Sequence, residues 1–222
     1  MPVYWYLAVA TEVMASIVGS CFYRNIKQKF LFLYFFVLLG ASTDILNIVS
    51  IKFSSHSNLW VSHIYFPFEF LLLALFYRQH ITTMIRQRWI IMLISILMTY
   101  AVINAIFIQS VNEYSHVRIF SSILLVLFSL IYFYKVMVEV KIRRLFADSL
   151  IWANVAVLFF YSTIFFYNLL SNLILDYSYE LAKHILTFNG YMIVLFYIFI
   201  TIAFGMEGRQ QIKGKSVSLK RA

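Results

Sequence analysis

Residues 63 to 78 read HIYFPFEFLLLALFYR. The run is apolar and aromatic almost throughout, without the alternation of a half-buried strand. One carboxylate, Glu69, stands near its middle, with Pro67 two residues before it. A hydrocarbon core of about 30 Å is crossed by about 20 helical residues. In lipid the backbone must satisfy its own hydrogen bonds, so a continuous run of this kind predicts a transmembrane helix. A carboxylate at such depth is expensive, and it predicts a face turned toward protein or water.

The rest of the chain has the same character. Of its 222 residues, 63% are hydrophobic, 19% aromatic and only 12% charged. A soluble domain of this size has too few polar groups to cover that much apolar surface. Seven segments are long enough to span, at roughly 3–22, 30–52, 60–77, 89–109, 117–138, 149–172 and 182–205. The fold class expected is an all-α integral membrane protein, a seven-transmembrane helix bundle. Six Gly and two Pro leave little room for linkers or a second domain. Residues 1–206 therefore read as the transmembrane domain and 207–222 as a basic cytoplasmic tail. The first run has no basic residue before it and no small-residue cleavage site, so it reads as a retained helix.

Lys and Arg set the orientation. Alternate connections and the tail carry 15 of the 18 basic residues; the other side holds Lys52, Arg118 and Lys183. The positive-inside rule then places the N-terminus outside and the C-terminus inside a cell inner (plasma) membrane. The net charge of +9 follows from that topology and from contact with anionic lipid. The tail has no aromatic residues interleaved for base stacking, so no nucleic-acid partner is expected.

The candidate functional residues are the polar groups within the spans. Glu12 is midway along the first. Asp44 and Asn47 lie in the outer half of the second, spaced i, i+3. His63 is near the outer end of the third and Glu69 near its centre. Tyr100 and Asn104 share a face of the fourth, and Asn154, Tyr161 and Asn168 form a stripe on the sixth. His184 and Asn189 occupy the outer half of the seventh. Ser62, Tyr65 and Glu69 share one stripe, whereas His63 stands about 120° away from Glu69 around the helix. Glu12, Asp44 and Glu69 have no Lys or Arg at matching depth in the sequence. The ligand-binding set expected is Glu12, Asp44, Asn47, His63, Glu69, Asn104, Tyr161, Asn168, His184 and Asn189. The alternative is a polar clasp that only locks helices together.

The core HIYFPFEF followed by leucines and FYR, with STDILNI in the second span, resembles a set of small, uncharacterised seven-span bacterial inner-membrane proteins. That resemblance implies a sensory role beside a kinase rather than a defined activity. An offset of 121 residues aligns Asn47 with Asn168, Ser50 with Ser171, Ser57 with Ser178, and the His-Ile pair at His63 with that at His184. The 3+1+3 plan this suggests resembles rhodopsin-like and small sugar-transporter families. The seventh span has no interior lysine for a retinal Schiff base, and the chain has no Pro-Gln dipeptide.

Three functions are expected in descending order. The first is a sensor that binds a small molecule or cation from outside and acts through a cytoplasmic signalling partner. The second is a small-molecule or proton-coupled transporter. The third is an intramembrane metal-dependent hydrolase using Asp44, His63 and His184. The chain has no HExxH motif and no paired histidines on one helix. The single cysteine, Cys21, excludes an internal disulfide, and no cofactor is called for.

Overall fold

The computed structural model describes residues 3–53, 60–108, 116–139, 145–177 and 179–219; within these, the side chains of 27, 48–53, 170–177, 179, 182 and 213–219 are not described. All regular structure among the described residues is helical. The helices are α1 (Val3–Cys21), α2 (Tyr23–Phe53), α3 (Trp60–Ile81), α4 (Gln87–Ile103), α5 (Val117–Glu139), α6 (Ser149–Tyr177) and α7 (Tyr179–Leu219). Seven helices are long and apolar enough to cross a membrane. The centres of the expected spans fall on these helices, and the ends differ where helix outlasts apolarity.

The largest difference is at α7. Its 41 residues make a helix about 60 Å long, twice a hydrocarbon core. It runs unbroken through the expected boundary at residue 206. The segment from Met206 loses its apolar run but is rich in Glu, Arg, Gln and Lys, which favour helix. At the other extreme, α4 ends in a π-helical turn, Asn104–Ile108.

Neighbouring helices alternate in direction. α1 and α2 are separated by Phe22 alone, and the turn stays hydrogen-bonded, from Phe22 N to Val18 O at 3.1 Å and from Ile26 N to Phe22 O at 3.0 Å. α1 runs parallel to α7, since Glu12 meets Tyr197 and Gly19 faces Phe204 further along both. A Cβ at Gly19 would stand 3.1 Å from the Phe204 ring and 2.9 Å from that of Tyr34, so the close approach of three helices there needs glycine. "Amino end" below means the end where α1 begins, and "carboxy end" the end where α7 finishes.

α3 is the central element. It packs on α2, α4 and α5, and reaches α6 through side-chain hydrogen bonds. α4 lies at the periphery, against α3 and α5. The carboxy half of the bundle holds a packed layer of buried aromatic rings. Phe30 stacks on Phe76 at 6.0 Å and meets Phe204 edge-on at 5.9 Å, and Leu33, Phe70 and Leu73 are buried in the same core. The polar residues in this half satisfy one another: Tyr77 Oη donates to Asn154 Oδ1 at 2.7 Å, and Asn154 Nδ2 donates to the Ser129 carbonyl at 3.2 Å.

Candidate functional site

A cavity of about 270 Å³ lies in the amino half, bounded by α1, α2, α3, α5, α6 and α7. Glu12, Asp44, Asn47 and Glu69 line it, as the polar stripes of the sequence suggest. Ser62, Tyr65 and Glu69 present the single face expected of α3. Aromatic walls come from Phe36, Phe66, Phe160, Phe196 and Tyr197.

The acidic groups are held in two sets. Tyr197 Oη donates to Glu12 Oε1 at 2.6 Å, joining α7 to α1. Asp44 on α2 lines the same cavity as Glu12, across the α1–α2 interface. Gly40, one turn before Asp44, permits this approach. A Cβ there would collide with Glu12 Oε1 and stand 2.8 Å from Tyr197 Oη. In the second set, Tyr161 on α6 donates its hydroxyl to Glu69 Oε1 on α3. Both Glu12 and Glu69 are buried, at 3% and 4% exposure, so these contacts replace water.

The sequence left all three carboxylates without a cation at their depth. The structure corrects this for Glu69. Arg118, at the start of α5, lines the same cavity and lies close enough for its charge to act on Glu69. Its guanidinium sits 4.3 Å from the centroid of the Phe66 ring. Arg118 stands at the very start of the expected span 117–138, but a long stem carries its charge well away from its Cα. No described cation faces Glu12 or Asp44.

The other expected site residues fall elsewhere. Tyr161 touches the site through Glu69 but lies behind the wall. His63 is buried on a different face of α3, consistent with its angular offset from Glu69. Asn104 is buried within the π-helical turn after α4. Asn168 turns back on its own helix, donating to the Ile164 carbonyl at 2.7 Å. Asn189 lies in a separate groove between α6 and α7, and His184 is exposed. Asp44, His63 and His184 are therefore not gathered, and no three metal-capable side chains converge among the described residues. The 121-residue correspondence pairs unlike surroundings: Asn47 lines the cavity while Asn168 does not, and His63 is buried while His184 is exposed. The side chains of Ser50, Ser57, Ser171 and Ser178 lie outside the described residues.

A second polar cluster at the carboxy end escaped the sequence reading. Glu207 on α7 is 1% exposed. It accepts hydrogen bonds from Ser149 Oγ at 2.7 Å, Gln211 Nε2 at 2.9 Å and Lys29 Nζ at 3.2 Å, so it ties α7 to α6 and α2. Nearby, His80 Nε2 donates to the Lys29 carbonyl at 3.0 Å, and Lys135 Nζ donates to the His80 carbonyl. The signal available was modest: Glu207 is the one acid in a segment of five bases. Tyr197 also lies on a readable stripe, Ile193, Tyr197, Ile200 and Phe204 at helical spacing, but nothing marked it as a partner for Glu12.

Compared with family models, curated proteins and solved structures, the chain matches none.

Proposed function

We propose that this chain is a receptor-like sensor of a cell inner membrane, with its N-terminus outside and its C-terminus inside. It binds a small molecule or ion in the cavity of the amino half and passes a helix movement to a cytoplasmic partner. The observation that carries this reading is the contrast between the two halves. The amino half holds a cavity lined by charged and polar groups, while the carboxy half is filled by packed aromatic side chains. A cavity backed by a packed core suits occupancy from one side. Tyr197 and Glu207 lie on the same helix, so α7 links the wall of the cavity to the carboxy-end cluster. The basic asymmetry of 15 to 3 supports the orientation.

A transporter is the second reading, favoured by one feature. The buried carboxylate Glu207, bridged to Lys29 and Ser149, stands where a second gate would be needed. One experiment separates the two. Ser62→Cys is placed in a Cys21→Ser background, and a membrane-impermeant maleimide is applied to intact cells and to inverted vesicles. Labelling in intact cells alone is the result expected of a sensor. Labelling from both sides supports transport and overturns the sensor reading. Labelling in inverted vesicles alone overturns the orientation.

A further inference from the structure

We propose that the cavity binds a small primary monoamine, its ammonium group held by Glu12 and Asp44; the inference rests on the cavity being a ligand site. The argument begins with how charge is distributed around the wall. Glu69 shares its side of the cavity with Arg118 and accepts the hydroxyl of Tyr161. Among the described residues, Glu12 is met by the neutral Tyr197 and by other acids, Asp44 and Glu69, and by no cation. Asp44 in turn has Glu12. Two carboxylates that face one cavity repel each other unless a proton or another positive charge lies between them. An ammonium can take that place, presenting three donors to acceptors on both carboxylates and on the Tyr197 oxygen.

The surroundings select among cations. A metal ion asks for several ligating side chains, and three metal-capable groups do not converge among the described residues. The volume of about 270 Å³ far exceeds the room one ion needs, since a single water asks for about 10–15 Å³ on the same measure. Phe36 and Phe196 beside Tyr197 give an apolar, cation-tolerant lining for an alkyl or aromatic body. Arg118 repels a second positive charge at the Glu69 side, so a monoamine fits better than a diamine. A quaternary ammonium has no N–H to offer the carboxylates.

The test uses the full chain in detergent, carrying Cys21→Ser and Ser62→Cys, with the rate of maleimide modification as readout. The probes are n-butylamine, n-butanol, tetramethylammonium, 1,4-diaminobutane and butyrate. Butylamine is expected to slow modification with saturation, and the other four to leave it unchanged or act much more weakly. Asp44→Asn, nearly isosteric, is expected to weaken butylamine protection roughly 10-fold or more. Thermal unfolding with and without butylamine repeats the comparison in the chain with Ser62 intact, and needs no variant to fold. Protection by butyrate or butanol in place of butylamine overturns the amine assignment while leaving a ligand site. Equal protection by tetramethylammonium or the diamine overturns it as well. A thiol at position 62 that no maleimide reaches overturns the cavity reading itself.

Discussion

At Gly40 the backbone of α2 lies so close to the Glu12 carboxylate and the Tyr197 hydroxyl that an added methyl group would have to displace them. The Cβ of Gly40→Ala would displace the Glu12 carboxylate and crowd Tyr197, separating the groups that join α1, α2 and α7. Overpacking of this kind costs about 1–3 kcal/mol. Gly205 is the internal control, since nothing lies within 4 Å of a Cβ built there. Gly205→Ala in the same kind of helical backbone should stabilise by roughly 0.5–1 kcal/mol, through the lower entropy of the unfolded chain. Unfolding curves in detergent for the two variants should therefore move in opposite directions. A shared direction would show that the approach at Gly40 is not tight. The sequence gives no means to tell these glycines apart: each interrupts an apolar helical run, and the difference lies in what another helix places opposite.

Among the elements, α7 carries the most weight because it belongs to both polar clusters. Glu207 accepts three hydrogen bonds from three places, on α6, α2 and its own helix. Glu207→Leu should cost about 1–3 kcal/mol, the range for leaving buried donors without an acceptor. Lys29 is different, with its side chain 44% exposed. Lys29→Gln should cost about 1 kcal/mol or less, as half-solvated ion pairs do. Thermal melts of both variants in detergent provide the ranking. A larger loss at Lys29 than at Glu207 would place the stabilisation in the ion pair rather than in the hydrogen bonds to α6 and α7. The helical spans were legible from apolar length, because lipid imposes a minimum on each. The ends were less so: the run of apolar residues stops near 205, yet Glu, Arg, Gln and Lys continue the helix to Leu219. Polar stripes on α3 and α6 were legible too, since Ser62, Tyr65 and Glu69 share a face and Tyr161 and Asn154 both reach α3.

The whole molecule is a bundle whose polar interior is unevenly placed along its axis, and under the proposed topology the direction of that axis decides what the asymmetry means. Glu180 lies at the amino end and Gln210 at the carboxy end, and both are exposed. With Cys21→Ser in place, Glu180→Cys should react with an impermeant maleimide on intact cells and Gln210→Cys only after permeabilisation. The opposite pattern would invert the proposed topology and turn the cavity toward the cytoplasm. The sequence by itself determined seven apolar helices and the outlying carboxylates Glu12, Asp44 and Glu69. Helix period and apolar length are local properties, read along one segment at a time. Which acids share a cavity, that Arg118 reaches Glu69's side of it, that Tyr197 meets Glu12, and that Glu207 closes the carboxy end were decided by tertiary structure. These pairings join residues as far as 185 positions apart. They depend on the rotation and depth of each helix against its neighbours, which side-chain packing sets and hydrophobicity alone does not.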